Sequence, residues 1–391
     1  MDLSTSLYPA THFLSPLSVQ TTPADSFTDT STPPWFATSP TVAMAMEDSG
    51  PPGANGTDVG SDEAERGVVQ KVLIAAFITC MVWGNVGNIL VMGAILIDRK
   101  LRNTVANIFI FNLAIADFCV TSFVDLSYIL GNFHPQWFQG KSVLCNLAAS
   151  VCIVSCTCSM WSICFISINR FVCITQSKYY GTIYTRRNTI IMTLFLWVLC
   201  FFIDLPNYVG LGAHIFDEKK MGCSFDRIHH YGYTVYFVAM GVVIPLCMVL
   251  FCYIKVYKFV KESEERIRSW DAQTRGANPA NQLPQISKAD RRLMVTVFII
   301  FLVFLTCWTP YAVVVLTDVH NVYPKELYVG AVILAHLNSS LNSILYGISN
   351  RRYRHGYKKL LFLDRVRCCR TTVGIGESQA VEGSTAAATK S

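Results

Sequence analysis

Seven stretches of this sequence are long and apolar enough to cross a membrane as helices. A hydrocarbon core of ~30 Å is crossed by about 20 mostly apolar helical residues. Lipid offers the backbone no hydrogen-bond partners, so each span must be a helix, and the runs are too long and too little alternating for barrel strands. We therefore predict an all-α membrane protein, a seven-transmembrane helix bundle. The stretches lie near 69–97, 104–130, 142–174, 188–210, 232–258, 290–317 and 326–348.

Composition supports a lipid environment. The 391-residue chain is 52% hydrophobic and 15% charged, whereas soluble proteins carry roughly 25% charged residues. A single soluble core does not absorb such an excess of apolar residues, because cores split into domains at this length. In a membrane, the excess apolar side chains can face lipid, which accounts for this composition.

Polar segments flank and join the spans. Residues 1–66 are rich in Ser, Thr, Pro and Gly, which predicts a disordered tail without a cleavable signal peptide. We expect the membrane domain at 67–349, an amphipathic helix with a lipidation site at 350–370, and a second disordered tail at 371–391. The longer connections, which we predict as loops, are 211–231 and 259–289.

The distribution of basic residues predicts the orientation. Cytoplasmic segments of membrane proteins carry an excess of Lys and Arg. If the N-terminus is outside, seven of the 32 Lys and Arg residues fall in outer segments. We therefore predict a multi-pass plasma-membrane protein with an extracellular N-terminus. Asn55-Gly56-Thr57 is a glycosylation acceptor in the outer tail, and Cys368-Cys369 follows the amphipathic stretch as a candidate palmitoylation site.

Most of the 15 cysteines lie inside the spans, where Cys behaves as a small apolar residue. Cys152, Cys156 and Cys158 are predicted to pack rather than to bind a metal, since no His or acidic residue accompanies them in that span. Cys145 and Cys223 fall at the oxidising outer face, one at the start of the third span and one in the loop before the fifth. A disulfide between them would hold that loop over the mouth of the bundle.

An ionisable residue inside a span is costly and is a functional candidate. Asp117 lies midway along the second span. Carboxylate, hydroxyl and amide oxygens suit a small hard cation such as Na⁺, but the same set could be a hydrogen-bond network that joins helices. The residues alone leave both interpretations open. The polar candidates at comparable depth are Asn88, Ser159, Asn338 and Asn342.

The third span ends in Asn169-Arg170-Phe171, where an Arg could simply extend its charge to the membrane surface. Asp290 begins the sixth span at the same level and offers a salt bridge that would hold the inner face shut. Pro310 and Pro245 each remove a backbone hydrogen bond from a span, so a kinked helix that pivots is a plausible two-state element.

These residues, at these spacings, resemble the rhodopsin-like (class A) G-protein-coupled receptors. The resemblance covers about 69–363. The matching features are Gly87-Asn88, Leu113-Ala114-x-Ala116-Asp117, Trp137, the Cys145/Cys223 pair, Arg170, Trp197, Pro245 with Tyr253, Cys307-Trp308-x-Pro310, and Asn342-Ser343-x-x-Tyr346.

The resemblance implies roles for these positions. Asp117 with its polar candidates would form a sodium pocket, and Arg170 would contact a heterotrimeric G protein once the sixth helix swings outward. Tyr253 and Tyr346 would rotate inward to hold the open state. Ligand occupancy would be relayed by Met160, Pro245, Phe304, Trp308 and Pro310.

Two departures from the family pattern narrow the group. Asn169 stands where the family usually has an acid, and Ser343 stands where it usually has a proline. Without the acid, Arg170 loses a local charged partner, so we expect a weaker resting lock and a higher basal activity. An Asn169→Asp variant with unchanged basal output would count against this hypothesis.

The candidate ligand residues are similar to those of two receptor groups. Leu205-Pro206-Asn207 and the Asn-Arg-aromatic triplet resemble melatonin-type receptors, in which the residues matching Asn207 and Phe225 hold an indole ligand. Arg227 replaces the glutamine of that group. The run Cys223 to Ile228 is instead similar to the second outer loop of the medium-chain fatty-acid receptor, where the matching Arg receives a carboxylate. Arg227 could equally be a solvated charge or pair with Asp226.

Other outer-half residues complete the candidates. Tyr311 and His336 are expected near the ligand, and His336 with Asp125 forms either a structural pair or a proton sensor. His at position 336, where opsins have a lysine, excludes a retinal pigment. Soluble-enzyme motifs are absent from the sequence, so no catalytic site is expected.

We predict a receptor that converts binding of a small extracellular ligand, a carboxylate-bearing lipid or an indole-like compound, into G-protein activation. The partners are the G protein, the ligand, the lipid bilayer and, as a further candidate, arrestin, with no nucleic acid. No cofactor is expected beyond a structural Na⁺. The alternatives are a ligand scavenger without coupling and a proton-modulated receptor. A transporter would show inverted repeats and broken helices, which the sequence lacks.

Overall fold

The computed structural model describes residues 58–140, 142–273 and 288–361. In this part of the chain, seven helices are long and apolar enough to cross a membrane. They agree with the predicted stretches to within a few residues, except at the end of the fifth, and confirm the predicted bundle. The spans are Gln70–Ile97, Ala106–Phe133, Val143–Thr175, Arg186–Asn207, Tyr231–Arg266, Val295–Thr317 and Lys325–Ser349.

Each span is one long helix, except the second and fifth, in which a widened turn joins two helices. The α-helices are α1 (Asp58–Ile97), α2 (Arg99–Arg102), α3 (Ala106–Cys119), α4 (Asp125–Phe133), α5 (Val143–Thr175), α6 (Ser177–Ile183), α7 (Arg186–Asp204), α8 (Tyr231–Val238), α9 (Ile244–Gln273), α10 (Lys288–Thr317), α11 (Lys325–Ser349) and α12 (Arg351–Leu360).

The widened turns are π-helical and lie at Val120–Val124 and Ala239–Val243. The second precedes Pro245, whose ring has no N–H and clashes with the carbonyl four residues earlier, so the turn before it opens. In the first, the Thr121 hydroxyl donates to the carbonyl oxygen of Asp117 at 3.1 Å. Both turns interrupt the helix beside the polar centre of the bundle.

The bundle places polar side chains inside and apolar ones outside. Asp117, Asp125 and Asp204 are fully buried, while Trp83 is 64% and Leu194 61% exposed. In a soluble protein this arrangement would be costly, whereas lipid accepts an apolar exterior. The polar interior therefore holds the candidates for function.

A β-hairpin fills the connection before the fifth span, which the sequence predicted only as a loop. Strand β1 (His214–Asp217) pairs antiparallel with β2 (Gly222–Phe225), so that His214 lies opposite Phe225 and Asp217 opposite Gly222. A Cβ at Gly222 would lie 2.3 Å from the Tyr128 ring. The hairpin thus rests on α4. We call the end of the bundle that carries this hairpin the outer end, and the end that carries Arg170 the inner end.

Helix α1 begins at Asp58, so the predicted disordered tail over residues 1–66 was wrong for its last part. This part of the chain contains Glu63, Ala64 and Glu65, residue types with high helix propensity. Polarity alone therefore predicted the start of α1 too late in the sequence.

Helix α9 continues to Gln273, so the predicted loop at 259–289 was also wrong for its first half. Ion pairs four residues apart support this polar extension: Lys261 Nζ lies 4.0 Å from Glu265, and Arg266 lies 3.8 Å from Glu262. A helix can continue beyond the membrane on such pairs without an apolar face.

The predicted amphipathic helix after the seventh span is α12. Its Tyr353 is fully buried and donates a hydrogen bond to Asn107 Oδ1 at 3.2 Å. A Cβ at Gly356 would lie 2.6 Å from the Cβ of Ala94, so α12 packs closely on α1. Asn55, Cys368 and Cys369, the predicted modification sites, lie outside the described residues.

Candidate functional site

The centre of the bundle is a buried polar pocket around Asp117. One carboxylate oxygen accepts a hydrogen bond from the Ser159 hydroxyl, and the other accepts one from the Asn342 amide, both at 2.8 Å. Asn88 donates to the carbonyl oxygen of Ser339 at 3.2 Å. The spans predicted to share this pocket therefore do meet there.

Two amide oxygens of the seventh span are buried without a hydrogen-bond partner among the described residues. They are Asn338 Oδ1 and Asn342 Oδ1, one helical turn apart on α11. An unsatisfied buried oxygen is costly. Together with the Asp117 carboxylate and the Ser159 hydroxyl oxygen, they supply the oxygen donors that a hard cation prefers. The residues present thus fit a sodium ion.

A cavity lies between the helices at the outer end, with about 380 Å³ of non-atom space that includes open solvent. The hairpin contributes Ser224 and Phe225 of β2 to its wall, and the sixth span contributes Trp308. Its lining residues are Tyr128, Cys152, Ile153, Cys156, Ser224, Phe225, Phe237, Trp308, Tyr311, Val332, Ala335 and His336.

The predicted disulfide is present. Cys145 and Cys223 are bonded, with their Cα atoms 5.3 Å apart. Ser142 caps α5 by accepting a hydrogen bond from the Cys145 amide at 3.3 Å, which fixes the first turn of that helix. The bond packs with Phe138 and Ala149 in a small apolar cluster. It holds β2 over the cavity.

Three of the five predicted ligand residues line this cavity, and two do not. Phe225, Tyr311 and His336 are lining residues. The Asn207 amide donates instead to Asp204 Oδ1 at 2.9 Å. Arg227 lies in the contact between the second and third outer loops, 3% exposed, and its Nη1 donates to the carbonyl oxygen of Asp318 at 3.1 Å.

The contact between these loops is a network of charges that the sequence did not predict. The two carboxylates of the network are Asp217 and Asp318. Arg227 lies 3.7 Å from the first and 3.6 Å from the second, and stacks on the Tyr328 ring. Burial alone would raise the pKa of Asp217, but Lys220 and Arg227 hold that pKa below its ordinary value.

The alternative prediction, that Arg227 pairs with Asp226, was wrong. Asp226 accepts hydrogen bonds from the backbone amides of Ile228 and His229 at 3.1 Å, and its carboxylate lies 2.9 Å from the His229 ring. It therefore closes its own turn, while Arg227 reaches across to the third outer loop.

His336 and Asp125 form a buried pair, with His336 Nδ1 2.6 Å from Asp125 Oδ1. The rings of Phe77 and Tyr128 pack edge-on against the imidazole. The pair joins α11 to α4 at the side of the cavity. Both groups are nearly inaccessible to solvent.

Trp308 connects the outer cavity to the helix that is predicted to pivot. Its ring stacks on Phe304 at 5.7 Å and meets Tyr311 edge-on at 6.0 Å. It also lines a second cavity, of about 190 Å³, together with Cys156 and Phe237, which belong to both cavities. Met160 and Pro245, the other predicted relay residues, are buried in the same bundle.

At the inner end, Arg170 is 4% exposed and turned towards its own helix. Its Nε donates to Asn169 Oδ1 at 3.1 Å, and a second nitrogen donates to the same oxygen. The Tyr180 hydroxyl lies 3.3 Å from Arg170 Nη2 and 3.4 Å from Asn169 Nδ2. The neutral Asn169 thus takes the place of the acid as a local acceptor for Arg170.

The other predicted switch residues surround this site. Tyr253 packs against the Phe298 ring at 4.8 Å, and Tyr346 stacks on Tyr353 at 5.3 Å. The Asp290 side chain, the predicted partner of Arg170 on the sixth span, lies outside what the structure describes. That salt bridge stays a prediction.

Sequence reasoning missed several contacts that cross between elements. Nothing in the sequence marked the Tyr180 hydroxyl as a partner of Arg170. At the outer end, Asp204 accepts a hydrogen bond from Ser150, and its Oδ1 lies 2.9 Å from His214 Nε2. The sequence did contain a signal for the Asp204 contacts. Asp204 is an aspartate at the end of an apolar span, and a buried charge requires partners.

Comparisons with known proteins agree with this geometry. Residues 87–346 match the family described as 7 transmembrane receptor (rhodopsin family). The chain is 29% identical over 319 residues to melatonin receptor type 1B-B of Danio rerio, covering 78% of this chain and 88% of that one. It is 31% identical over 299 residues to melatonin receptor type 1B of Homo sapiens, covering 75% and 79%.

A solved structure supports the fold alone. Squid rhodopsin superposes with a TM-score of 0.63 at 22% identity, over 77% of this chain and 87% of the other. With the seven spans and the relatives, it confirms the resemblance drawn from the motifs. The chain therefore belongs to the rhodopsin family of seven-transmembrane receptors, which are receptors and not enzymes.

Proposed function

We propose that this receptor converts binding of a small extracellular ligand in the outer cavity into activation of a heterotrimeric G protein at the inner end. One observation carries the proposal. Trp308 lines the outer cavity, stacks on Phe304 and stands two residues before Pro310, which has no N–H to donate within α10. A ligand that displaces this ring acts directly on the helix that has to move.

The polar pocket is the proposed connection between the two ends. Asp117, Ser159, Asn338 and Asn342 would hold a sodium ion, which supplies the positive charge that a buried carboxylate otherwise lacks. The ion would favour the packed arrangement of α3, α5 and α11. Movement of α10 and α11 would separate the four residues that would hold the ion.

At the inner end, the proposed transition frees Arg170 for the G protein. In the described arrangement Arg170 is held by Asn169 and Tyr180, so its guanidinium is not presented at the surface. Outward movement of the sixth span would open a groove beside it. The predicted orientation, with the N-terminus outside, places this groove in the cytoplasm.

The ligand class follows from the cavity and the relatives together. The melatonin receptors named above are the basis for an indole-like candidate, while the similarity of the second outer loop to the medium-chain fatty-acid receptor is the basis for a carboxylate lipid. The largely apolar wall, with a few polar groups, accepts either kind of molecule. The two candidate ligands differ in charge, so an assay with both classes of compound can distinguish them.

The test separates binding from coupling. The full-length receptor in nanodiscs is assayed for ligand binding and for guanine nucleotide exchange on a panel of G proteins, with indoles, fatty acids or no ligand. We expect Arg170→Ala to lower ligand-stimulated exchange about tenfold or more while binding persists. Binding without exchange in the wild type would instead indicate a scavenger. A basal signal that changes between about pH 6 and pH 8, and stops changing in His336→Phe, would indicate the proton-modulated alternative.

Removing the Tyr180 hydroxyl is expected to raise basal exchange. Tyr180→Phe keeps the ring but removes a hydrogen bond that holds Arg170 inward, worth ~1 kcal/mol, or about fivefold in the equilibrium. Tyr179→Phe is the matched control, since that neighbour is 55% exposed. Equal basal exchange in the two variants would show that Tyr180 does not restrain Arg170. Asn169→Asp, which restores a charged acceptor, should lower basal exchange.

A further inference from the structure

Lys220 is a buried cation next to Phe225 and Tyr311, two residues that line the outer cavity. It lies in the turn between β1 and β2, yet its side chain is 1% exposed. The hairpin cannot easily lift it out, because Cys223 is bonded to Cys145 and Gly222 lies against the Tyr128 ring. A buried lysine requires compensation for its lost hydration.

The compensation found in the structure is incomplete. Asp217 Oδ2 lies 3.2 Å from Lys220 Nζ, but Nζ has no partner with hydrogen-bond geometry among the described residues. Its ammonium lies 5.9 Å from the Phe225 ring centre and 5.7 Å from that of Tyr311. Both rings line the cavity. The ammonium thus lies beside two rings of the cavity wall.

The charge of Lys220 persists at physiological pH. Burial alone would lower its pKa, but the neighbouring Tyr311 oxygen and the Asp217 carboxylate raise that pKa above its ordinary value. A buried protonated amine with one carboxylate beside it still has N–H donors that an incoming anion can accept from.

Two neighbouring cations of the second outer loop, Lys219 and Arg227, are already engaged. Lys219 Nζ donates to the carbonyl oxygens of Asn321 and Tyr323 at 2.9 and 2.6 Å. Arg227 bonds to the third outer loop, as described above. Both cations tie the two loops together. Lys220 is the basic residue of this hairpin whose ammonium lies over cavity-lining rings.

We propose that Lys220 anchors the anionic head group of the ligand, and therefore that the ligand is an amphiphilic acid. This inference rests on the proposed ligand site and moves the anion anchor from Arg227 to Lys220. The acid group would lie under the hairpin, between Phe225 and Tyr311. The apolar part would extend along the cavity towards Trp308, and a longer tail would have to widen the second cavity, which shares Cys156, Phe237 and Trp308 with the first.

His336 is the rival anchor, because it lines the same cavity and carries a proton in some conditions. Its Nδ1, however, is held 2.6 Å from Asp125 Oδ1, so a charge on the imidazole is already balanced inside the helix bundle. An anion drawn to His336 would compete with that carboxylate. Lys220 has a weaker competitor, since its carboxylate partner is also shared with Arg227.

The test compares an acid with its uncharged analogue on full-length receptor in nanodiscs. Equilibrium binding of decanoate and of decanol is measured for the wild type, Lys220→Met, Lys220→Arg and Lys219→Met. We expect Lys220→Met to weaken decanoate binding about tenfold or more, with decanol binding unchanged. Lys220→Arg keeps the charge and should retain most of the affinity. Lys219→Met removes the same charge from the adjacent position and should change decanoate binding by less than about threefold.

The outcomes separate this inference from the proposed function. Equal loss of decanoate binding in Lys220→Met and Lys219→Met would overturn it, because net loop charge would then explain the effect. Wild-type receptor that binds decanol as tightly as decanoate would also overturn it, as would a His336→Gln variant that loses acid preference while Lys220→Met keeps it. If decanoate binds through Lys220 but no G protein is activated, the anion site stands and the receptor function fails.

Discussion

Replacing Cys145 and Cys223 together with serine is expected to abolish high-affinity ligand binding and to lower the unfolding temperature by several degrees. The bond closes a loop of 78 residues between its two cysteines. In the chain-entropy account, such a closure stabilises the native state by about 4 kcal/mol. Because β2 carries Phe225 and adjoins Lys220, freeing Cys223 releases this part of the wall of the outer cavity.

The ion pairs between the loops would still restrain the hairpin in this variant. Arg227 and Lys219 bind the third outer loop independently of the disulfide. Lys219 is partly exposed and Arg227 is buried, and ion pairs of both kinds add little net stability, so they cannot replace a covalent bond. Residual low-affinity binding is therefore the expected phenotype, with a ligand dissociation constant raised about 100-fold or more.

Radioligand binding and thermal unfolding in nanodiscs measure the two effects. Cys247→Ser is the matched control, since it removes an exposed, unbonded cysteine from α9. It should leave both quantities unchanged. If the double serine variant bound ligand as tightly as the wild type, the hairpin would not depend on the disulfide for its position over the cavity.

The sequence predicted the features that depend on the membrane and on local chemistry. The spans follow from the thickness of the hydrocarbon core, and the disulfide follows from which cysteines reach the oxidising side. The buried Asp117 could be identified because a charge in a span is rare and costly. Each of these inferences uses one residue or one stretch and its surroundings.

Contacts between separate elements could not be predicted in the same way. Arg227 looked like a ligand anchor in its loop, but its position depends on Asp318, which lies 91 residues away in the sequence. Tyr180 reaches Arg170 only because α6 folds back under the third span. Lys220 looks like a solvated loop charge until the hairpin and Tyr128 bury it. These placements depend on tertiary packing, which a local pattern does not contain.

The predictions of where α1 begins and where α9 ends were wrong for a related reason. Both are polar, and polarity was taken to indicate a loop. Helix propensity and ion pairs four residues apart stabilise a helix that leaves the membrane, so the hydrophobic stretch marks where lipid ends and not where the helix ends. For the same reason, the sequence did not predict where the helices of the fifth and sixth spans end on the inner side of the bundle.

Replacing Asp117 with asparagine is expected to abolish the effect of sodium on receptor stability. An ion that binds the folded receptor stabilises it in proportion to its occupancy, so wild-type receptor should unfold at a higher temperature in sodium chloride than in choline chloride at equal ionic strength. The amide oxygen of the variant side chain can still accept the Ser159 hydrogen bond, so the fold persists. The amide lacks the negative charge that would hold the ion.

The expected stability of the Asp117→Asn variant without sodium makes this prediction specific. Without sodium, the wild type carries a buried carboxylate that is hydrogen-bonded but has no cation among the described residues, whereas the variant is neutral. Removing an uncompensated buried charge is neutral or stabilising. In choline, Asp117→Asn should therefore be at least as stable as the wild type, although it loses one acceptor for Asn342.

Asp125→Asn is the matched control for the sodium measurement. It also neutralises a fully buried aspartate of the second span, but this one is paired with His336 and lies outside the polar pocket. The control should lose stability in both salts and keep the difference between them. A sodium-dependent unfolding temperature that survives in Asp117→Asn and disappears in Asp125→Asn would place the ion near the outer cavity. The orphaned oxygens of Asn338 and Asn342 would then need another partner.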